Sequence, residues 1–471
     1  MGVGRVPVQR GLRTFTLVAG LAMFAAVLLV AETTPQPAEA QVGGRPNIVL
    51  ILTDDQRYDT LRVMPEVQRL LVRRGIRLRR AIVTNPLCCP SRATILTGRY
   101  SHTTGVYSNV LPAGGWTAFQ PSESSTIATA LDAVGYRTAL IGKYINGYRG
   151  DAVYVPPGWD RWFAFSNGNG RYFNYTMFDG SRGPVSYGDR PRDYSTDVIR
   201  RQAVAFIRRT PTETPLFLMV APFAPHGNFI PAPRHRGGFA TMPVHLGPAV
   251  NEVDLSDKPA YIRRRPSRPV GELRRVRRRQ WETLLAVDDM VSRILQALAE
   301  TGRSNNTLVI LTSDNGLSTY EHRWGGKRVP YEESIRVPLI IRLPGGSPAG
   351  TVSDALVSNV DLAPTIVDFA GASLSVDGVS LRPVLTGAAS TVRDSVVLEH
   401  FERPEVVPTY CGVRTPTFTF VHYSTGEEEL YDLLEDPRQL QNVASTRPTK
   451  TDQLRSLTRS LCRPVPPGFS W

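Results

Sequence analysis

This 471-residue chain has no serine-nucleophile elbow, no zinc-type ligand spacing, no internal repeat and, beyond residue 40, no low-complexity tract. Without Gly-x-Ser-x-Gly, an elbow-type serine hydrolase has no nucleophile. Four cysteines and seven histidines are present, and none of their spacings matches a zinc site. After residue 40 no apolar run approaches the roughly 20 residues that cross a bilayer. The basic excess, a formal net charge of +13, carries no aromatic interleaving and no nucleic-acid motif, so we expect no nucleic-acid partner. The balance of 41% hydrophobic and 21% charged residues excludes disorder. The length exceeds one compact core, which makes two domains the expectation.

The first forty residues stand apart. Arg5, Arg10 and Arg13 precede an apolar run from Phe15 to Ala31, and the segment closes on Ala38-Glu39-Ala40. That is the layout of a secretory signal cleaved after Ala40, with an uncleaved membrane anchor as the alternative. Either reading exports the protein: secreted, periplasmic or at the cell surface, and lysosomal if the source is eukaryotic. Export permits disulfides, and Cys411 and Cys462 could bridge, whereas the adjacent Cys88 and Cys89 cannot easily pair. Much of the positive charge lies between Arg263 and Arg279. It reads as the solvated start of a helix or as a patch that gathers a polyanion.

Asn47–Thr53 is a continuous apolar run, as expected of a parallel strand buried on both faces. Further strands are predicted at Thr138–Ile141, Leu216–Ala221, Thr307–Thr312 and Val337–Arg342. Helices are predicted near Met64–Arg74, Ser124–Val134, Thr196–Arg208 and Trp281–Leu298. The alternation predicts an α/β fold with a large, mostly parallel sheet flanked by helices. Residues 145–195, rich in Gly, Tyr, Asn and Arg, read as loops. From about residue 375 short strands at Ser395–Glu399 and Thr417–His422 and a helix near Lys450–Leu461 predict a smaller α+β domain. The expected division is a catalytic domain over 41–374 and a C-terminal subdomain over 375–471.

Open α/β sheets bind ligands beyond the carboxyl ends of their strands. Asp54 and Asp55 end the first strand, and Asp314 and Asn315 follow Thr307–Thr312. Each pair alone could be a cap or a turn. Together, at two strand ends, they offer hard oxygen ligands suited to Ca²⁺ or Mg²⁺. Asp288 and Asp289 are adjacent in mid-helix and diverge, and they are expected to be solvated. Lys143 and His226 also follow strands, and Lys327 lies in Gly325-Gly326-Lys327. Each alone would ordinarily be a surface residue.

The run Cys88-Cys89-Pro90-Ser91-Arg92, followed by Thr97-Gly98-Arg99, resembles the signature of the formylglycine-dependent sulfatases of the alkaline phosphatase superfamily. The resemblance implies that Cys88 is oxidised to formylglycine by a formylglycine-generating enzyme. It implies one Ca²⁺ (Mg²⁺ as the alternative) held by Asp54, Asp55, Asp314 and Asn315. Arg92, Lys143, His226 and Lys327 would surround the sulfate ester. Physically, cations and a metal stabilise the charge that develops on the bridging oxygen as the S–O bond breaks. The implied course is attack on sulfur by one hydroxyl of the hydrated aldehyde, departure of the alcohol, and expulsion of sulfate as the aldehyde reforms.

Many members of that family carry a histidine two residues after the lysine matching Lys143, where this chain has Ile145 followed by Asn146. In this it resembles the subgroup acting on N-acetylglucosamine-6-sulfate in glycosaminoglycans, which shares Cys-Cys-Pro-Ser-Arg and Gly-Lys-Tyr-x-Asn. The group that protonates the leaving oxygen stays open between His226 and a lysine, with His322 a weaker candidate. Two rival readings are a phosphoesterase or phosphonate hydrolase of the same superfamily and a non-catalytic polyanion-binding protein. A second set of His/Asp ligands would favour the first. Loss of Cys88 or of the metal ligands would favour the second.

Overall fold

A computed structural model describes residues 1–2, 44–149, 154–401 and 406–471. The signal or anchor segment expected at 1–40 lies almost wholly outside the described residues. Among the described residues, no helix is long and apolar enough to cross a membrane.

Ten strands form the main sheet. They are β1 (Asn47–Thr53), β2 (Ile76–Ile82), β3 (Arg137–Gly142), β4 (Arg161–Phe165), β5 (Tyr175–Asp179), β6 (Gly183–Tyr187), β7 (Leu216–Ala221), β8 (Thr307–Ser313), and, after the two-residue pair β9 (Ser318–Thr319) and β10 (Gly325–Gly326), β11 (Leu339–Arg342) and β12 (Thr351–Ser358). Their order is β12-β2-β11-β8-β1-β7-β3-β4-β5-β6. The central run β8-β1-β7-β3-β4 is parallel throughout, so the expected fold class is observed. β11, β5 and β6 pair antiparallel.

The side-chain period of two splits β1 between two cores. Ile48, Leu50 and Leu52 join one apolar cluster, which also takes Cys89, Ala93, Ile95 and Leu96 from the helix Cys88–Thr97 and Leu362, Ala363 and Ile366 from the helix Leu362–Ala370. Val49 and Ile51 join the opposite cluster with the helices Ser195–Arg209 and Val270–Glu300. Burial on both faces explains why β1 reads as an unbroken apolar run.

Two expectations are corrected. Residues 145–195 are not all loop, because they hold β4, β5 and β6, which extend the sheet to one edge. β6 alternates half-buried and exposed positions, so its pattern is weak, and turns separate three strands of only five residues each. Asp288 is not solvated. It is buried in the helix Val270–Glu300 and accepts hydrogen bonds from the backbone N–H of Glu66 (2.9 Å) and Val67 (2.7 Å). Its neighbour Asp289 is half-exposed and bonds Arg234 and His235.

The C-terminal part is a small antiparallel sheet in the order β13 (Val396–His400), β14 (Tyr410–Arg414), β15 (Phe418–Tyr423) and β16 (Glu428–Asp432). The helix Pro448–Leu461 packs on it, and a Cys411–Cys462 disulfide links β14 to the residue after that helix. Both sheets lie within one compact unit, Val42–Trp471.

Candidate active site

β1 and β8 are in register along their length, with Thr53 opposite Ser313. Their next residues therefore emerge side by side at the carboxyl edge, and this brings Asp54 and Asp55 against Asp314 and Asn315 across about 260 residues of sequence. The backbone N–H of Asp55 donates to Asp314 Oδ1 at 3.1 Å, and Asn315 Nδ2 donates to Asp55 Oδ1 at 2.7 Å. Asp55 itself takes a positive φ of 65°, a conformation uncommon outside glycine and found where surrounding structure enforces it.

Lys143 arrives at the end of β3, next to β7. Gly142 precedes it at φ +124°, and a Cβ there would stand 2.0 Å from the carbonyl oxygen of Ala221. Only glycine permits this approach, and it lets Lys143 Nζ reach Asp54 Oδ2 at 2.6 Å. Gly316 has the same role after Asn315, where a Cβ would lie 2.2 Å from the oxygen of Glu333.

Cys88 opens its helix and is 1% exposed. Its Sγ lies 3.5 Å from Asp54 Oδ1 and 2.7 Å from Lys327 Nζ, which also donates to Asp55 Oδ1 at 2.5 Å. Ligand atoms of Asp54, Asp55, Cys88 and His226 all fall within 4.8 Å of one another. His226 Nε2 stands 3.6 Å from Asp55 Oδ2, and the backbone oxygen of His226 accepts from Tyr172. Arg92, one turn beyond Cys88, is fully buried. Its Nε donates to Asp314 Oδ2 at 2.8 Å, one Nη donates to the Lys143 carbonyl, and the other has no partner.

The electrostatics follow from burial and pairing. Burial opposes charge on Asp54, but Lys143 and His226 outweigh it and hold the carboxyl below its ordinary value. Burial likewise opposes charge on Asp55, and Lys327 and His226 overcome it. Lys143 and Lys327 are both raised against burial, chiefly by Asp54 and Asp55 respectively. Cys88 goes the other way, as burial pushes its thiol up to about 11 despite both lysines. An unmodified thiol here stays protonated at neutral pH and is a poor nucleophile.

The donor set fits a hard divalent cation. Asp54, Asp55 and Asp314 supply carboxylate oxygens. The side-chain oxygen of Asn315 is buried without a hydrogen-bond partner, an arrangement that costs free energy unless something is bound there.

All nine expected site residues thus meet at one end of the sheet: Cys88, Arg92, Lys143, His226 and Lys327 with Asp54, Asp55, Asp314 and Asn315. His322 is buried elsewhere in its own pairing, with Nδ1 2.6 Å from Glu252 Oε2 and its ring against Tyr331. Sequence reasoning missed three supports. Ser91 Oγ donates to the Asp314 carbonyl, Asn359 Nδ2 donates to Ser91 Oγ at 3.0 Å, and Asn109 Oδ1 accepts from the Cys89 N–H at 2.8 Å. Ser91 was legible from its place in the motif. Asn359 and Asn109 sit in unremarkable contexts and carry no signal.

Comparison with known proteins gives the family, while a solved phosphonate monoester hydrolase from Silicibacter pomeroyi shares the fold at a TM-score of 0.70 and 23% identity, covering 89% of this chain and 95% of that one. Residues 46–372 match the family model described as Sulfatase, and residues 320–463 match that of the N-sulphoglucosamine sulphohydrolase C-terminal region. Human N-acetylglucosamine-6-sulfatase is 34% identical over 454 residues, covering 85% of this chain and 81% of the relative. An N-acetylglucosamine-6-O-sulfatase of Bacteroides thetaiotaomicron is 31% identical, with 89% and 86% covered. A solved structure described as a complex with its substrate, D-glucosamine-2-N,6-O-disulfate, aligns with a TM-score of 0.76 at 28% identity, covering 89% of this chain and 98% of that one.

Proposed function

The chain belongs to the sulfatase family and is a sulfuric ester hydrolase, and we propose that it removes the 6-O-sulfate of N-acetylglucosamine units in sulfated glycans after export. The observation that carries the reading is the cluster of Asp54, Asp55 and His226 around Cys88, with Lys327 on the Cys88 sulfur, Lys143 on Asp54, and Arg92 and Asn315 joining Asp314 and Asp55 to it. The substrate follows the named relatives and Gly142-Lys143-Tyr144-Ile145-Asn146. Export follows the character of the first forty residues.

Cys88 is the precursor of formylglycine, and its conversion replaces a protonated thiol with a group that water adds to readily. A Ca²⁺ held by Asp54, Asp55, Asp314 and Asn315 would lower the charge penalty at the reacting oxygens. The chain's own residues do the rest. Lys143 keeps Asp54 ionised and fixes its direction. Lys327 Nζ sits between Asp55 and position 88, where it neutralises an incoming sulfate oxygen. Arg92 orients Asp314 and the Lys143 backbone, so it acts through them as a positioning residue. His226 donates the proton from Nε2 to the departing sugar oxygen. Its side chain is 33% exposed, against 1% for Lys143, so a leaving group can reach it.

Among the described residues, a single His/Cys/Asp/Glu cluster has ligand geometry. That favours one metal and a singly charged sulfate ester over a phosphate monoester. The test is kcat/KM for an aryl sulfate, the matching aryl phosphate and 6-sulfated N-acetylglucosamine. A preference for the phosphate overturns the reaction assignment. Poor turnover of the sulfated sugar alone overturns only the substrate.

A further inference from the structure

Lys327 lines a cavity of about 450 Å³ beside the reacting centre, whose walls include Arg265, Arg268, Tyr320, Arg323 and Trp324. Three of these are arginines, and none is in a salt bridge among the described residues. Arg265 donates to the Tyr261 carbonyl and lies 4.4 Å from the Trp324 ring centre. Arg268 donates to Tyr320 Oη at 2.7 Å and faces that ring. Arg323 donates to the carbonyls of Glu252 and Val253. Aromatic rings and carbonyls thus orient the three guanidinium groups, and among the described residues no carboxylate comes within salt-bridge distance of them, Glu272 acting on Arg268 only from farther off. The loop that carries the cavity holds Tyr320, His322, Arg323 and Arg328 at positive φ, backbone strain of the kind kept at ligand sites. Trp324 Nε1 donates to the Lys327 carbonyl at 2.9 Å, which ties the cavity wall to the reacting lysine. A second cavity of about 470 Å³ continues past Arg265 and Pro266 to Arg264 and Tyr261, with Glu427 the one acid on its wall.

From this geometry we infer that the arginine cavity is a second anion subsite. It holds the sulfate or carboxylate of the sugar unit adjoining the one whose ester is cleaved. The inference rests on the sulfated-glycan reading above and deepens it. The cavity lies within the 300–1,000 Å³ range of small-ligand sites. Guanidinium groups bind sulfate and carboxylate oxygens in pairs. The continuing groove suits a chain rather than a single sugar. Within the arginine-rich run, Arg265 and Arg268 thereby set the preference for polymer.

The test compares wild type with the R265Q/R268Q double variant, and with R268K as the charge-preserving control. Substrates are 6-sulfated N-acetylglucosamine and two tetrasaccharides carrying that unit, one with a sulfate and one with only a carboxylate on the neighbouring sugar. The double variant is expected to lower the tetrasaccharide-to-monosaccharide ratio of kcat/KM about tenfold, allowing roughly half that effect for each exposed charge-assisted contact. R268K should retain most of the ratio, and 0.5 M salt should erase much of it. The tetrasaccharide whose ratio falls identifies the anion. The inference is overturned if the ratio is unchanged or if both substrate classes lose equally. Binding of the same tetrasaccharides to Cys88→Ala protein reads the subsite without turnover. Wild type that binds but cleaves none of these esters condemns the substrate reading, and equal binding by the Cys88→Ala protein with and without R265Q/R268Q condemns the subsite.

Discussion

At the scale of single residues, Cys88 is the sharpest test. Active protein should carry a residue at 88 lighter by about 18 Da than cysteine, the difference between a thiol and an aldehyde, while Cys89 stays a thiol. Mass spectrometry of the peptide decides it, and an intact thiol at 88 in active enzyme refutes the assignment. Lys143→Ala and Lys327→Ala should each lower kcat/KM at least tenfold. Each removes a charge-assisted contact worth about 1.5–3 kcal/mol from a buried carboxylate. Asp314→Ala should lower metal content and activity together, read by elemental analysis of purified protein alongside rate. Cys88, Lys143 and Asp314 were legible from the motif and from strand-end position, and Lys327 from the family resemblance alone. Arg92's partner was not. Nothing in a linear sequence says that its guanidinium points to Asp314, 222 positions away, because that contact depends on helix and strand orientation.

At the scale of elements, Asp288 yields a pH prediction. Burial raises its carboxyl to about 6, above its ordinary value, so between about pH 4 and pH 6 the folded state binds more protons than the unfolded one. Stability therefore falls as pH rises through that window, by up to about 3 kcal/mol from this group. Denaturation midpoints of wild type and Asp288→Asn at pH 4.5 and 7.0 should show the wild type losing ground to the variant at the higher pH. A constant difference would refute this. The sequence misled here because adjacent acids in a helix pattern look solvated. The two backbone N–H groups that Asp288 caps belong to a segment more than 220 residues earlier. The edge strands were hidden for a related reason. β6 has one face in solvent, so it lacks the doubly buried run that announces β1, β7 and β8. The arginine-rich run divides in the same way, for Arg277 turns inward to Thr319 and Glu321 while Arg274 and Arg275 stay exposed. The Cys411–Cys462 link spans 51 positions, so Cys462→Ser should lower stability by about 2–4 kcal/mol, measured by denaturant midpoint under oxidising conditions.

At the scale of the whole molecule, the central parallel sheet and the reaction class were legible together, because the doubly buried strands that define the sheet end in the candidate site residues. What stayed out of reach was the path from the site to its surroundings. The cavity beside Lys327 draws walls from Arg265–Arg268 and from Tyr320–Arg328, segments that are unrelated in sequence.

The burial of Cys88 also has a consequence in time. Its sulfur is held against Lys327, which lies 239 positions later in the chain, so the closed site does not exist until that residue has left the ribosome. At about 5–20 residues per second, roughly 10–50 s pass between synthesis of position 88 and of Lys327, and during them the contact that closes the site is missing. A modifying enzyme that needs the bare peptide has that interval and little more. Slowing synthesis between residues 88 and 327 should raise the converted fraction, and refolded, fully reduced protein should resist conversion altogether.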